Sequence, residues 1–143
     1  MKQTKALILL NMGAARSKAE LQEFLLNMFN DKNILTINNN FSRSLLASFI
    51  TKNRLDKAWE NYELIGGKSP LHSISESLKS KLQILMPDTL VLLAMRYTKP
   101  FASNAIQQLK DKNIKDIVLL PLYPQYSTTT TKSSVEDFIQ YCP

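Results

Sequence analysis

The sequence predicts an α/β fold in which helices cover both faces of one parallel sheet, a three-layer αβα arrangement. Three short apolar runs lack the alternation of a half-exposed strand, which is typical of strands buried on both faces of a parallel sheet. Helically spaced apolar residues separate these runs, and a strand–helix–strand order predicts right-handed crossovers. The three predicted strands are residues 6–11, 90–95 and 117–122.

The first predicted helix follows the first strand. Ser17 and Glu20 have the spacing of a capping box, and apolar residues three and four positions apart continue to about residue 30. The polar, asparagine-rich residues 31–40 then form a predicted loop. A loop of this length either carries function or is only mobile, and the pattern does not choose between the two.

A helical insertion is predicted between the first and second strands. Residues 41–50 form one helix, and a second helix carries Trp59 and Tyr62 on one face before Gly66 and Gly67 end it. Core packing is the default interpretation of that aromatic face, and an aromatic wall for a flat ligand is the alternative. The insertion is longer than a nucleotide-binding unit needs, so we interpret it as a flap that covers a substrate.

The rest of the chain continues the same order. One helix ends before Pro87, and another spans residues 102–109 between the second and third strands. Three strands are few for a doubly wound sheet, so the chain is expected to be part of a longer one. Two more capping boxes predict helix starts, and they pair Ser73 with Glu76 and Ser133 with Glu136.

Polar groups follow all three strands at one edge of the predicted sheet. They are Asn11-Met12-Gly13, Arg96-Tyr97 and the hydroxyl-rich segment 123–134. Ligands in open α/β sheets bind beyond the carboxyl ends of the strands, so these groups are expected to face a common crevice. Core packing is the default interpretation of Met12, with a ligand contact as the alternative. A guanidinium at the position of Arg96 needs an anion, and a structural carboxylate partner is the default, with an anionic ligand as the alternative.

The composition narrows the function classes. The 143 residues carry 18 Lys and Arg against 12 Asp and Glu, a net charge of +6 that suits anionic partners. The single cysteine, Cys142, allows no internal disulfide and fits a reducing compartment. No apolar run approaches the roughly 20 residues of a membrane span, and the start lacks signal-peptide features. We expect a cytoplasmic protein and leave peripheral membrane association open.

Two features could suggest a catalytic or phosphate site, a glycine-lysine segment and the single histidine. Gly66-Gly67-Lys68-Ser69 is not a phosphate loop, because the first glycine of that motif would fall at Tyr62. His72 is the only histidine, and no Ser-His-Asp arrangement or metal-ligand set can be built around it. The sequence therefore predicts no metal site, and a structural or solvated histidine is the default interpretation of His72, with a catalytic role as the alternative.

Four segments together resemble ferrochelatase, the family of enzymes that insert ferrous iron into a porphyrin in haem synthesis. The segments are 10–13 (Leu-Asn-Met-Gly), 62–71 (Tyr-Glu-Leu-Ile-Gly-Gly-Lys-Ser-Pro-Leu), 95–97 (Met-Arg-Tyr) and 122–127 (Leu-Tyr-Pro-Gln-Tyr-Ser). The resemblance covers about the first half of a family member. It implies a chelatase-like, Rossmann-like half, with residues 1–143 as the N-terminal domain of a two-domain chelatase and the C-terminal domain outside this chain.

The resemblance also implies a porphyrin held between the two domains. The residues that match porphyrin-binding positions of the family are Met12, Arg54, Tyr62, Ser69, Arg96, Tyr97 and Ser134. Met12 matches the position facing the metal centre, and Arg96 with Tyr97 matches the pair lining the cavity floor. The family usually continues Met-Gly with Gly-Pro, whereas Ala14-Ala15 follow here.

The implied substrates are ferrous iron and protoporphyrin IX or coproporphyrin III, with no nucleic-acid partner. The family's catalytic histidine and glutamate fall beyond Pro143, so the chain is expected to be inactive alone. Cys142 does not match an iron–sulfur ligand, and no such cluster is expected. Two alternatives stay open: a chelatase for another metal or tetrapyrrole, and a non-enzymatic α/β domain that binds a ligand or nucleic acid.

Overall fold

The computed structural model describes residues 3–142, and these contain one sheet of three parallel strands. The strands are β1 (Lys5–Asn11), β2 (Thr89–Met95) and β3 (Asp116–Pro121), in the spatial order β2-β1-β3. Lys5 aligns with Thr89 on one side and with Asp116 on the other, so all three strands start and end level. The predicted parallel α/β fold is confirmed.

The described part of the chain contains five α-helices. They are α1 (Lys18–Phe29), α2 (Asn40–Glu63), α3 (Leu71–Leu85), α4 (Ala102–Asp111) and α5 (Ser133–Ile139). Of these, α3, α4 and α5 pack on the sheet. A single π-helical turn, Thr128–Lys132, leads directly into α5. No helix within residues 3–142 is both long enough and apolar enough to cross a lipid bilayer.

Alternate residues of β1 pack on opposite sides of the sheet, which gives the three layers. Ile8 shares a buried cluster with Ala105 of α4 and Phe138 of α5. Leu9 packs on the other face in a cluster that includes Leu82 of α3. Because strand side chains alternate between faces, the continuous apolar run of β1 supplies both layers at once.

The helical insertion is α2, which forms a hairpin with α1, and the two helices share an apolar cluster of their own. We predicted two helices in place of α2, and this prediction was wrong, since one 24-residue helix runs through the region. Asn39 caps its start by accepting a hydrogen bond from the Ser42 amide at 2.9 Å. Thr51 is buried at the expected break, and no glycine or proline interrupts the helix there.

The third strand differs from its prediction as a strand buried on both faces. Among the described residues β3 is an edge strand that pairs only with β1, and the cluster beneath α3 is built mainly from β1 and β2. Val118 and Leu120 are therefore 55% and 42% exposed on that side. Ile117 and Leu119 point to the other face and pack against the α4–α5 layer.

Two of the three predicted capping boxes are also wrong, while Ser17 does cap α1. Helix α3 begins at Leu71, and the Ser73 hydroxyl donates to the Pro70 carbonyl at 2.9 Å instead of capping. Helix α5 continues from the π-helical turn, which leaves no free amides at Ser133 to cap. The Ser133 side chain is buried, and its hydroxyl donates to the Asp31 carboxylate instead.

Candidate functional site

The carboxyl ends of the strands meet at one edge, as predicted. The Arg96 amide donates to the Asn11 carbonyl at 2.8 Å, and the Tyr97 amide donates to the Met12 carbonyl at 3.0 Å. From the third strand, the Leu122 amide donates to a β1 carbonyl, that of Leu10, at 2.8 Å. The half-buried Met12 thus lies directly beside the Arg96-Tyr97 pair.

Gly13 allows this close approach of the strand ends. Its φ is +86°, a region that favours glycine. A Cβ atom at this position would overlap the Thr98 Oγ1 atom and would lie 3.2 Å from the Thr98 amide nitrogen. The Met95 Cβ atom would be only 3.3 Å away. The turn after β1 is therefore shaped by the backbone that follows β2.

The end of the α1–α2 hairpin returns to the same turn. The Ala15 amide donates to the Tyr62 hydroxyl at 3.4 Å, and the Ser69 amide donates to the Ala15 carbonyl at 2.9 Å. Tyr62 also stacks on Trp59, with ring centroids 6.1 Å apart and an interplanar angle of 11°. The predicted site residues Tyr62 and Ser69 consequently both contact the turn that begins at Met12.

Arg54 stands apart from this group. It is exposed on α2, with its guanidinium carbon 5.8 Å from the centre of the Phe29 ring. It precedes Tyr62 by eight residues, about 12 Å along a helix that rises 1.5 Å per residue. The structure therefore places Arg54 on the same helix as Tyr62, but not beside the strand ends.

Arg96 has carboxylate partners on two sides. Its guanidinium nitrogens lie 3.2 Å from the Asp31 Oδ2 atom and 3.2 Å from the Asp137 Oδ1 atom. Its Nε–H donates to the Ser133 hydroxyl at 2.9 Å. The structure thus supports the carboxylate alternative for this guanidinium. A cavity of about 450 Å³ adjoins the cluster and is also lined by Glu23, Asn27, Asn30, Phe101, Ser103 and Tyr141.

Tyr97 is enclosed within the protein. Its side chain is fully buried, its ring meets Phe24 edge-on at 5.7 Å, and its hydroxyl donates to the Asp31 carboxylate at 2.9 Å. Burial, together with the Asp31 charge, raises the pKa of Tyr97 far above its usual value. The phenol therefore stays neutral, and its hydrogen bond to Asp31 connects the end of β2 to the residues after α1.

Ser134 is buried as well. Its hydroxyl shares a 2.8 Å hydrogen bond with the Tyr123 hydroxyl, which fixes the start of α5 to the segment after β3. Burial raises the pKa of Tyr123, although the hydrogen bond with Ser134 opposes the change. A direct porphyrin contact by Ser134 stays a prediction.

Asp31 is the polar residue that the sequence reasoning missed. Its side chain is 1% exposed and accepts hydrogen bonds from Tyr97, from Ser133 and from the Asn33 amide, the last at 2.8 Å. Burial alone would raise the pKa of this carboxyl, but these hydrogen bonds and the Arg96 charge outweigh it and lower the pKa. Asp31 is therefore a buried, ionised acceptor.

The sequence analysis also did not identify Asp137, the second carboxylate beside Arg96. Burial raises the pKa of Asp137, and the attraction of Arg96 only partly offsets the change. Asp31 begins a predicted loop and Asp137 lies in the last predicted helix, so neither follows an apolar strand. The local turn at Asp31, whose carboxylate accepts the amide two residues on, was the one signal that could have drawn attention to it.

The described residues offer no obvious metal site. Within residues 3–142, no group of three or more His, Cys, Asp or Glu side chains could hold a metal ion. His72 is half-buried in the first turn of α3.

Sequence comparisons show which known proteins this chain is similar to. Residues 4–143 match the sequence model of the ferrochelatase family. Curated relatives named ferrochelatase include those of Nitratiruptor sp. (54% identical over 94% of this chain and 43% of the relative) and Sulfurimonas denitrificans (53%, 94% and 43%). A Helicobacter pylori ferrochelatase is 47% identical over 93% of this chain and 40% of its own length. The chain thus spans less than half the length of these relatives.

Proposed function

Since this chain belongs to the ferrochelatase family, we propose that residues 1–143 form the N-terminal α/β domain of a two-domain ferrochelatase. The full-length protein, a lyase, inserts ferrous iron into a porphyrin during haem synthesis. The remaining domain comes from the part that the relatives have and this chain does not span. In this proposal the porphyrin lies between the two domains, with this chain forming one wall of the cleft.

The observation that carries the proposal is the meeting of Met12, Tyr62 and Ser69 around the turn after β1. Ala15 binds Tyr62 and Ser69 directly, so the flap and the sheet edge are joined at the predicted porphyrin site. A porphyrin is a flat apolar ring with carboxylate side chains. A thioether and an aromatic ring suit its faces, while hydroxyls and cations suit its propionates.

In this proposal Ser69, Arg54 and Met12 each have a role that their contacts leave them free to perform. The Ser69 Oγ atom accepts a hydrogen bond from the Leu71 amide at 3.2 Å, so its own O–H can donate to a propionate. Arg54 presents an exposed cation to a second carboxylate. Met12, which carries no charge, packs against the centre of the macrocycle, where the metal enters.

In this proposal, the residues that remove the porphyrin's protons belong to the part of the protein outside residues 1–143. Metallation requires the removal of two pyrrole protons, which needs a base positioned over the ring. We place the catalytic histidine and glutamate beyond residue 143, so this chain binds porphyrin but does not turn over alone. Iron acts as a substrate here, and the porphyrin is protoporphyrin IX or coproporphyrin III.

The test is metallation by the full-length protein. Purified protein with ferrous iron and either porphyrin should yield the metalloporphyrin, followed by its visible absorption. A panel of divalent metals and other tetrapyrroles separates a ferrochelatase from a related chelatase. A correctly folded protein that binds no porphyrin and forms no product would reject the proposal.

We propose that the protein is cytoplasmic and associates peripherally with a membrane surface. Phe41, Leu45 and Phe49 follow one another at helical spacing and are 79%, 65% and 65% exposed at the start of α2. Lys52 continues the same face, which suits a surface of anionic lipids. Sedimentation with anionic vesicles should retain the full-length protein, and Phe41→Ser with Phe49→Ser should abolish this retention if the proposal holds.

A further inference from the structure

One buried carboxylate serves both residues of the Arg96-Tyr97 pair. The Asp31 Oδ2 atom accepts a hydrogen bond from the Tyr97 hydroxyl at 2.9 Å and lies 3.2 Å from an Arg96 guanidinium nitrogen. Because the side chain is 1% exposed, water cannot replace these partners. The same oxygen accepts the Ser133 hydroxyl, so three side chains depend on it.

The guanidinium direction is set by elements that are far apart in sequence. Asp31 follows α1, whereas Ser133 and Asp137 belong to α5. A guanidinium is planar and donates in fixed directions, so partners on separate sides leave it little freedom to rotate. Arg96 remains 21% exposed, so part of its side chain is accessible to a ligand.

We propose that Asp31 is a positioning residue that fixes Arg96 at the floor of the porphyrin cavity. The inference rests on the proposed function, because it assumes that Arg96 faces the porphyrin. Asp31 itself does not touch the substrate and acts only through the guanidinium that it orients. Asp137 lies beside a second nitrogen of the same guanidinium, while Asp31 is the carboxylate that binds both Arg96 and the Tyr97 hydroxyl.

Loss of the Asp31 charge has a defined consequence. With asparagine in its place, Arg96 keeps Asp137 as its only carboxylate partner, and the guanidinium turns towards α5. The porphyrin then meets a displaced cation, so its affinity falls even where the fold persists. An effect that passes through Arg96 must disappear when Arg96 has no guanidinium.

A double-mutant cycle on porphyrin affinity tests this dependence in the full-length protein. The dissociation constant for protoporphyrin IX is measured by fluorescence titration for wild type, Asp31→Asn, Arg96→Met and the double variant. We expect Asp31→Asn to raise the constant about ten-fold in the wild-type background and less than about two-fold in the Arg96→Met background. Asp88→Asn, which removes an exposed carboxylate before β2, is the matched control and should change nothing.

The outcomes separate the two proposals. Equal losses in both backgrounds would overturn the positioning role and leave the porphyrin site intact. A folded wild-type protein that binds no porphyrin would remove the proposed function and this inference together. If Asp31→Asn does not fold, Asp31→Glu enters the same cycle, because it keeps the charge but displaces the carboxylate by one methylene, and the same two results decide.

Discussion

Replacing Gly13 by alanine tests how tightly the turn after β1 packs against the end of β2. Two costs combine at this position. The backbone conformation, with φ at +86°, disfavours any L-residue by about 1–2 kcal/mol. The added methyl group overlaps Thr98 Oγ1 and crowds the Thr98 amide and Met95 Cβ, and such overpacking adds about 1–3 kcal/mol. We therefore expect Gly13→Ala to lower the free energy of unfolding by about 2–5 kcal/mol.

Gly66 provides the matched control. Its φ is +87°, almost the same, but a Cβ atom there would meet no heavy atom within 4 Å. Gly66→Ala should therefore lose only the conformational part, about 1–2 kcal/mol. The difference between the two variants measures the steric part alone.

Urea titration followed by circular dichroism compares the variants. Adding Thr98→Ala to Gly13→Ala should restore about 1–2 kcal/mol, because the closest overlapping atom is gone. The Thr98 hydroxyl has no hydrogen-bond partner among the described residues, so its removal strands no other group. Equal losses for Gly13→Ala and Gly66→Ala would refute the close approach of the two strand ends.

Three further predictions concern the site. In the full-length protein, Arg54→Ala and Ser69→Ala should each weaken porphyrin binding about ten-fold, as measured by fluorescence titration. Each should change the unfolding free energy by less than about 1 kcal/mol. Large and equal stability losses would instead show that both residues are structural. The pKa of Asp31 is lowered in the folded state, so its stabilising contribution is complete above the unfolded value of about 3.9 and is lost as the pH falls through the lower folded pKa. Between pH 6 and about pH 2, the melting temperature should therefore fall less steeply for Asp31→Asn than for wild type. Parallel curves for the two proteins would contradict this prediction. The pKa of Tyr97 is raised in the folded state, so the stability present below the unfolded pKa of 10 should decline as the pH rises above that value. Tyr97→Phe should reduce this alkaline loss of stability, measured by thermal unfolding. An unchanged alkaline slope would show that the phenol ionises freely.

The sheet could be predicted because its signals are local. Continuous apolar runs mark strands covered on both faces, and the predicted bounds of β1 lie within one residue of those observed. The edge position of β3 could not be predicted in this way. The sequence of β3 is as apolar as the others, but exposure depends on which strand lies between its neighbours and on where α3 packs.

The site was only partly predictable for the same reason. The meeting of Met12 with the Arg96-Tyr97 pair follows from parallel strands alone, and the structure confirms it. The partners of Arg96 come from positions more than 35 residues away on both sides, and no periodic pattern connects them. Buried polar networks of this kind are fixed by tertiary packing, so the sequence shows the residues without showing that they meet.

A structure of the full-length protein with bound metal-free porphyrin tests the central claim most directly. We predict that the macrocycle lies at the carboxyl edge of this sheet, with atoms of Met12, Tyr62 and Ser69 within about 4 Å of it. A porphyrin bound elsewhere on the protein, with none of these three side chains in contact, would contradict the account.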